Sequence, residues 1–107
     1  MNKLSNIPRE QQDFSGAYSY KSKVDRHMDW CDKLNEIYAQ KNHDYGDSFS
    51  KTFKEEGMAM ARIRLSDKLE RFKRLTKTEG KVKDESIIDT LIDLANYSIM
   101  TIMEIEK

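Results

Sequence analysis

Residues 84–97, DESIIDTLIDLANY, decide how the rest of the chain is read. Without its acids the stretch is an apolar helix of the kind that fills a core, yet Glu85, Asp89 and Asp93 recur at every fourth position. At about 100° per residue these three and Asn96 fall within roughly 80° of one another on the helix surface. Ile87, Leu91, Leu94, Ala95, Ser98, Ile102 and Ile105 make a wide face on the opposite side, while Ile88, Ile92 and Ile99 border the acids. Carboxylates four apart repel, by about 0.2–0.5 kcal/mol per exposed pair and by more once water is removed. A helix that keeps such a row needs compensation from a neighbour. Either the row is a solvated face answered by lysines and arginines, or it holds a divalent cation, its oxygens suiting Mg²⁺ that keeps positions for water and phosphate.

The neighbour is found upstream. RIRLSDKLERFKRL, residues 62–75, carries Leu65, Leu69 and Phe72 on one face and turns through Lys68, Arg64 and Arg71 to Asp67 on the far side. A cationic flank with an acid beyond it can meet the acidic row in two ways. Lys68 and Arg71 can form an inter-helix salt-bridge network with Asp89 and Asp93, or the cations and a metal can together grip a phosphorylated ligand.

Further out, Met28, Cys31, Leu34 and Tyr38 recur at spacings of three and four, which predicts a first helix over about 22–42 with Ile37 beside the stripe. Met58, Ala61, Leu65, Leu69 and Phe72 predict another over about 57–76, with a short helix near 50–55 between them. A turn around Gly80 leads to the last helix, capped by Asp84 or Ser86 and continuing to about 105. Residues 1–21, with Pro8, Gly16 and no sustained period, read as a loosely structured arm. Its Phe14, Tyr18 and Tyr20 either dock onto the domain or a second copy, or belong to a disordered tail. The expectation is an all-α, four-helix-type bundle over residues 22–107.

Composition bounds what such a bundle does. The chain has 107 residues, with 36% charged, 37% hydrophobic, one proline and four glycines, which suits one small helical domain. Basic and acidic residues number 19 each, so no bulk positive field exists to hold duplex nucleic acid. The single Cys31 cannot pair within the chain and reads as a small core residue. No membrane span or secretory signal is legible, so a cytosolic protein is expected. Apolar residues on several sides of the last helix leave surface for a homo-oligomer to cover.

KNHDYGDSF, residues 41–49, gathers a cation, two acids, an imidazole, a phenol, a hydroxyl and a glycine between two helices. Lys41 suits phosphate, Tyr45 or Phe49 offers a flat face to a base, and Asp44 lies between them. In the plainer reading Asp44, Gly46 and Asp47 are turn chemistry and Phe49 plugs the core. His27 and His43 are too far apart in sequence for a zinc pair, and there is no Gly-rich phosphate loop, nucleophile elbow or CxxC motif.

Together KNHDYGDSF, RIRLSDKLERFKRL and DESIIDTLIDLANYSIM resemble the nucleotide modification associated domain type 1 family, small helical proteins of phages and bacteria. The likeness covers about residues 28–103. Members look like relatives of the all-α nucleoside triphosphate pyrophosphatases of the MazG and dimeric dUTPase type, in which acids on two neighbouring helices hold Mg²⁺ against a triphosphate. That resemblance places metal at Asp67, Glu85, Asp89 and Asp93, with Glu70 beside Asp67. Asn96 stands where the enzymes carry a second acid and brings no charge. Nucleotide contacts fall to Lys41, Asp44, Tyr45, Phe49, Lys68, Arg71 and Asn96.

The functional expectation is nucleotide binding, Mg²⁺-assisted, in phage or bacterial nucleotide metabolism or DNA modification. Hydrolysis to monophosphate and pyrophosphate is the enzymatic version. Two alternatives stay open: a non-catalytic sponge that sequesters a cyclic nucleotide or ADP-ribose-type immune signal, and a structural protein whose acids and bases close an oligomer interface.

Overall fold

The protein is described from a computed structural model over residues 21–77 and 83–107, with the side chains of Lys83 and Asp84 left aside. The expected arm over residues 1–21, apart from Lys21, and the turn at Gly80 lie outside these residues. Among the described residues there are four helices and no strand: α1 (Lys23–Tyr45), α2 (Ser48–Glu56), α3 (Met58–Lys77) and α4 (Lys83–Glu106). This is the all-α architecture that the periodicity predicts. α1 runs on through Tyr45, and α4 begins at Lys83, ahead of both expected caps.

The chain divides into two compact units, residues 1–33 and 34–107, with the boundary inside α1. In the first, Ser22 accepts the Asp25 backbone N–H at 3.0 Å, an N-terminal cap for α1, and Lys21 pairs with Asp29 at 2.9 Å. Met28 and Trp30 stand 47% and 49% exposed. Cys31 is only half-buried, 3.7 Å from the His27 ring, so it is not the core residue expected.

In the second unit two abrupt turns set the packing. Gly46 and Asp47 both have φ near +60°, so two left-handed residues alone separate α1 from α2. Gly57 joins α2 to α3 with φ 68° and ψ −153°, a conformation essentially restricted to glycine, and its N–H donates to the Phe53 carbonyl at 2.7 Å. α3 packs along α4, and α2 lies against both.

The fully apolar interior is thin. Met60 and Ala61 are the buried hydrophobic residues among those described; Met58, expected in the stripe, is 52% exposed. Ala61, Leu65 and Phe72 of that stripe do turn inward, joined by Lys68, while Leu69 is 42% exposed. On α4 the buried positions are Thr90 and Thr101, not the wide apolar face, which leaves Leu91, Ile102 and Ile105 exposed. Threonine is tolerated there because its hydroxyl is satisfied within its own helix: Thr90 donates to the Ser86 carbonyl at 2.8 Å and Thr101 to the Tyr97 carbonyl at 2.7 Å. Ser50 accepts from Lys107 at 2.9 Å, and Lys107 also pairs with Glu104. No buried side-chain polar atom among the described residues lacks a partner.

Candidate functional site

Lys68 occupies a position on the inward face of α3 where a leucine would be unremarkable. Its side chain is 28% exposed and its ammonium lies 3.1 Å from one oxygen of Asp93 on α4, while Lys41 near the end of α1 reaches the other oxygen at 3.0 Å. One carboxylate thus ties three helices together. Burial pushes the Asp93 carboxyl up, but the two lysine hydrogen bonds and charges outweigh it and hold it below the usual carboxylate range. The hydrogen bond to Asp93 in turn raises Lys41. Nearby, the Asn96 side-chain amide donates to the Leu34 carbonyl at 3.2 Å, fixing α4 against the middle of α1.

Around this ion cluster opens a cavity of about 380 Å³, within the range of small-ligand sites. α1 contributes Tyr38, Lys41, Asn42 and Tyr45; the turn and α2 add Asp47, Ser48 and Phe49; α3 brings Arg64 and Lys68; α4 supplies Asp93, Asn96, Tyr97 and Met100. Three cations face two acids. Phe49 stacks on Tyr97 with centroids 5.8 Å apart and on Phe53 at 6.4 Å, a rigid aromatic wall, whereas Tyr45 stands 69% exposed at the rim.

Of the residues expected to contact a nucleotide, Lys41, Tyr45, Phe49, Lys68 and Asn96 come together here. Phe49 is half-buried, packed into the aromatic wall and lining the cavity. Arg71 does not line it: its Nε donates to the buried Thr90 hydroxyl at 3.2 Å, a structural bond between α3 and α4. Asp44 faces solvent, accepting from Gln40 at 3.2 Å with His43 beside it. The inter-helix salt bridge anticipated for Lys68 and Asp93 is present; Arg71 is bound to Thr90 instead of an acid.

The acids expected to hold metal are distributed differently. Asp93 lines the cavity, while Asp67, Glu85 and Asp89 are exposed outside it, and no three His, Cys, Asp or Glu side chains among the described residues form a cation-holding group. The row on α4 winds around the helix: its last acid, Asp93, turns between α1 and α3, and the earlier Glu85 and Asp89 face water. Sequence reasoning missed Tyr38, Asn42, Ser48, Tyr97 and Met100 as cavity residues, and read Asp47 only as turn chemistry. Lys68 on an inward stripe was the available signal for where the cavity opens, since an ammonium there demands a partner.

A family model described as nucleotide modification associated domain 1 matches residues 41–105. The match begins at the lysine that enters the cavity from α1 and takes in α2, α3 and nearly all of α4. Neither a curated protein nor a solved structure matches the chain. Among the described residues no helix is long and apolar enough to cross a membrane.

Proposed function

The chain belongs to the nucleotide modification associated domain 1 family, and from that premise and the lysine-aromatic cavity we propose that it binds a nucleotide between α1, α3 and α4. The observation that carries the reading is the pairing of two lysines on one carboxylate beside a stacked aromatic wall. Lys41 and Lys68, with Arg64 across the cavity, take the phosphate oxygens through charge-assisted hydrogen bonds. Tyr45 at the rim closes over the base, and the Phe49–Tyr97 stack backs it. In the absence of ligand, Asp93 holds the two ammonium groups in place and limits the repulsion between them.

Mg²⁺ enters this reading as an ion carried on the phosphates, since it is commonly bound through one or two carboxylates plus substrate oxygens. Asp93 is the cavity carboxylate that would receive it. Retention of an intact ligand is favoured over cleavage by one observation: Asp67, Glu85 and Asp89 stand outside the cavity lining, so the described residues assemble no multi-acid cluster able to activate water.

The test is calorimetric titration with a panel of nucleoside triphosphates and cyclic nucleotides, with Mg²⁺ or chelator, followed by chromatography of the ligand recovered from denatured protein. One compound binds and is recovered unchanged. Lys68→Ala weakens it about ten- to a hundredfold, the loss expected for one hydrogen bond to a charged group. Asp93→Asn frees the lysines and tightens binding in chelator while removing the gain from Mg²⁺. Monophosphate and pyrophosphate in the product would establish an enzyme instead. Absence of binding across the panel would remove the nucleotide reading altogether.

A further inference from the structure

α4 is unusual in what it leaves uncovered. Its buried side is marked by Thr90 and Thr101, and on the side turned away lie Ile88, Ile92, Ala95, Ile99 and Ile102. The steps between them are four, three, four and three residues, the repeat of a helix that pairs with another helix along a seam. Ile88, Ile99 and Ile102 are 46%, 45% and 56% exposed, and beside them Leu91, Met103 and Ile105 are 41%, 44% and 60% exposed. Together the six present on the order of 500 Å² of apolar surface per copy, which doubled reaches the roughly 1,000 Å² expected of a specific interface. The fully buried hydrophobic residues of the described chain, Met60 and Ala61, are few by comparison.

We infer that this face is covered by α4 of a second copy of the chain, the two helices running antiparallel and crossing at Ala95. The pattern is self-complementary about that position. Counting outward, Leu91 meets the partner's Ile99, Ile88 meets the partner's Ile102, and Ala95 faces its own equivalent, where a small side chain lets the axes approach. Charge selects the direction. Between Asp84 and Glu106, α4 contains no lysine or arginine, so a parallel pair would set Glu85 and Asp89 about 10 Å from their own copies with no cation of α4 between them. Antiparallel pairing separates the two Glu85 residues by about 30 Å and the two Asp89 residues by about 18 Å, beyond the screening length of roughly 8 Å. In that register Glu85 falls opposite the partner's Ile105, which Glu104 and Glu106 flank. The cavity opens on a different side of α4, through Asp93, Tyr97 and Met100, so the interface is independent of the nucleotide reading.

The experiment is sedimentation equilibrium on the full chain and on Ile99→Glu, with circular dichroism to confirm that the variant keeps its helix content. The wild type sediments as a dimer and Ile99→Glu as a helical monomer. Direction is read by disulfide crosslinking in a Cys31→Ser background: Ala95→Cys crosslinks to itself, Ile102→Cys alone does not, and a mixture of Ile88→Cys and Ile102→Cys proteins does. A wild type that is monomeric at its highest soluble concentration overturns the inference, as does a dimer untouched by Ile99→Glu. Self-crosslinking of Ile102→Cys as efficient as that of Ala95→Cys overturns the antiparallel arrangement.

Discussion

Thr90 shows how much one side chain holds. It is 2% exposed, and its hydroxyl both donates to the Ser86 carbonyl and accepts from Arg71, so a single oxygen satisfies a helix carbonyl and orients a guanidinium across to α3. Thr90→Val keeps the shape and removes both bonds. The expected cost is about 1–3 kcal/mol, mostly from what the hydroxyl leaves unpaired, read as a melting point lower by several degrees. A variant melting with the wild type would mean that water satisfies Arg71 equally well. Arg71 also shows why site residues are hard to assign from spacing. In sequence it sits on the same cationic flank as Lys68, and only the packing of α3 sends one to a threonine and the other to a carboxylate.

Among the elements, the two turns of the second unit behave differently from the helices they join. At Gly57 no atom stands within 4 Å of where a Cβ would be, so space is not the obstacle to a side chain. The backbone conformation is. Gly57→Ala is expected to cost about 1–3 kcal/mol through strain alone, checked by urea unfolding, and an unchanged midpoint would show that α2 and α3 can re-angle freely. Asp47 lies instead in the ordinary left-handed region, φ 59° and ψ 36°, with a charged side chain that lines the cavity. Helix positions were legible in the sequence because Gly46 and Gly57 interrupt strong periodicity. The rotation of α4 was not, since a row of acids and a wide apolar face each looked like a side to bury. What decided it was the pair of lysines on α1 and α3, which draw Asp93 inward and carry Thr90 and Thr101 with it.

For the whole molecule, the junction of Lys41, Lys68 and Asp93 makes part of the stability depend on pH. Asp93 is held below its ordinary 3.8, so its contribution is present above that value and is lost as pH falls through the lowered one. Lys41 is raised above 10.5, so its contribution persists below that value and fades as pH rises past the raised one. Comparing the unfolding free energies of wild type and Asp93→Asn, we expect a difference of up to about 1 kcal/mol, given that Lys41 is more than half exposed. It should stay flat through neutral pH and shrink on the acid side below 3.8. A gap that stayed constant into strong acid would show that the carboxylate charge is not what joins the helices. The lysines, Asp93 and Asn96 around this junction were recognisable in advance; Tyr38, Tyr97 and Met100 were not, because ordinary apolar and aromatic helix positions carry no mark of the empty space they border. The aromatic lining has a practical side as well. The sole tryptophan, Trp30, belongs to the other compact unit and does not line the cavity, whose aromatic residues are tyrosine and phenylalanine. Tryptophan emission is therefore a reporter for the first unit, and a fluorescence titration in which it stays constant leaves the occupancy of the cavity unmeasured.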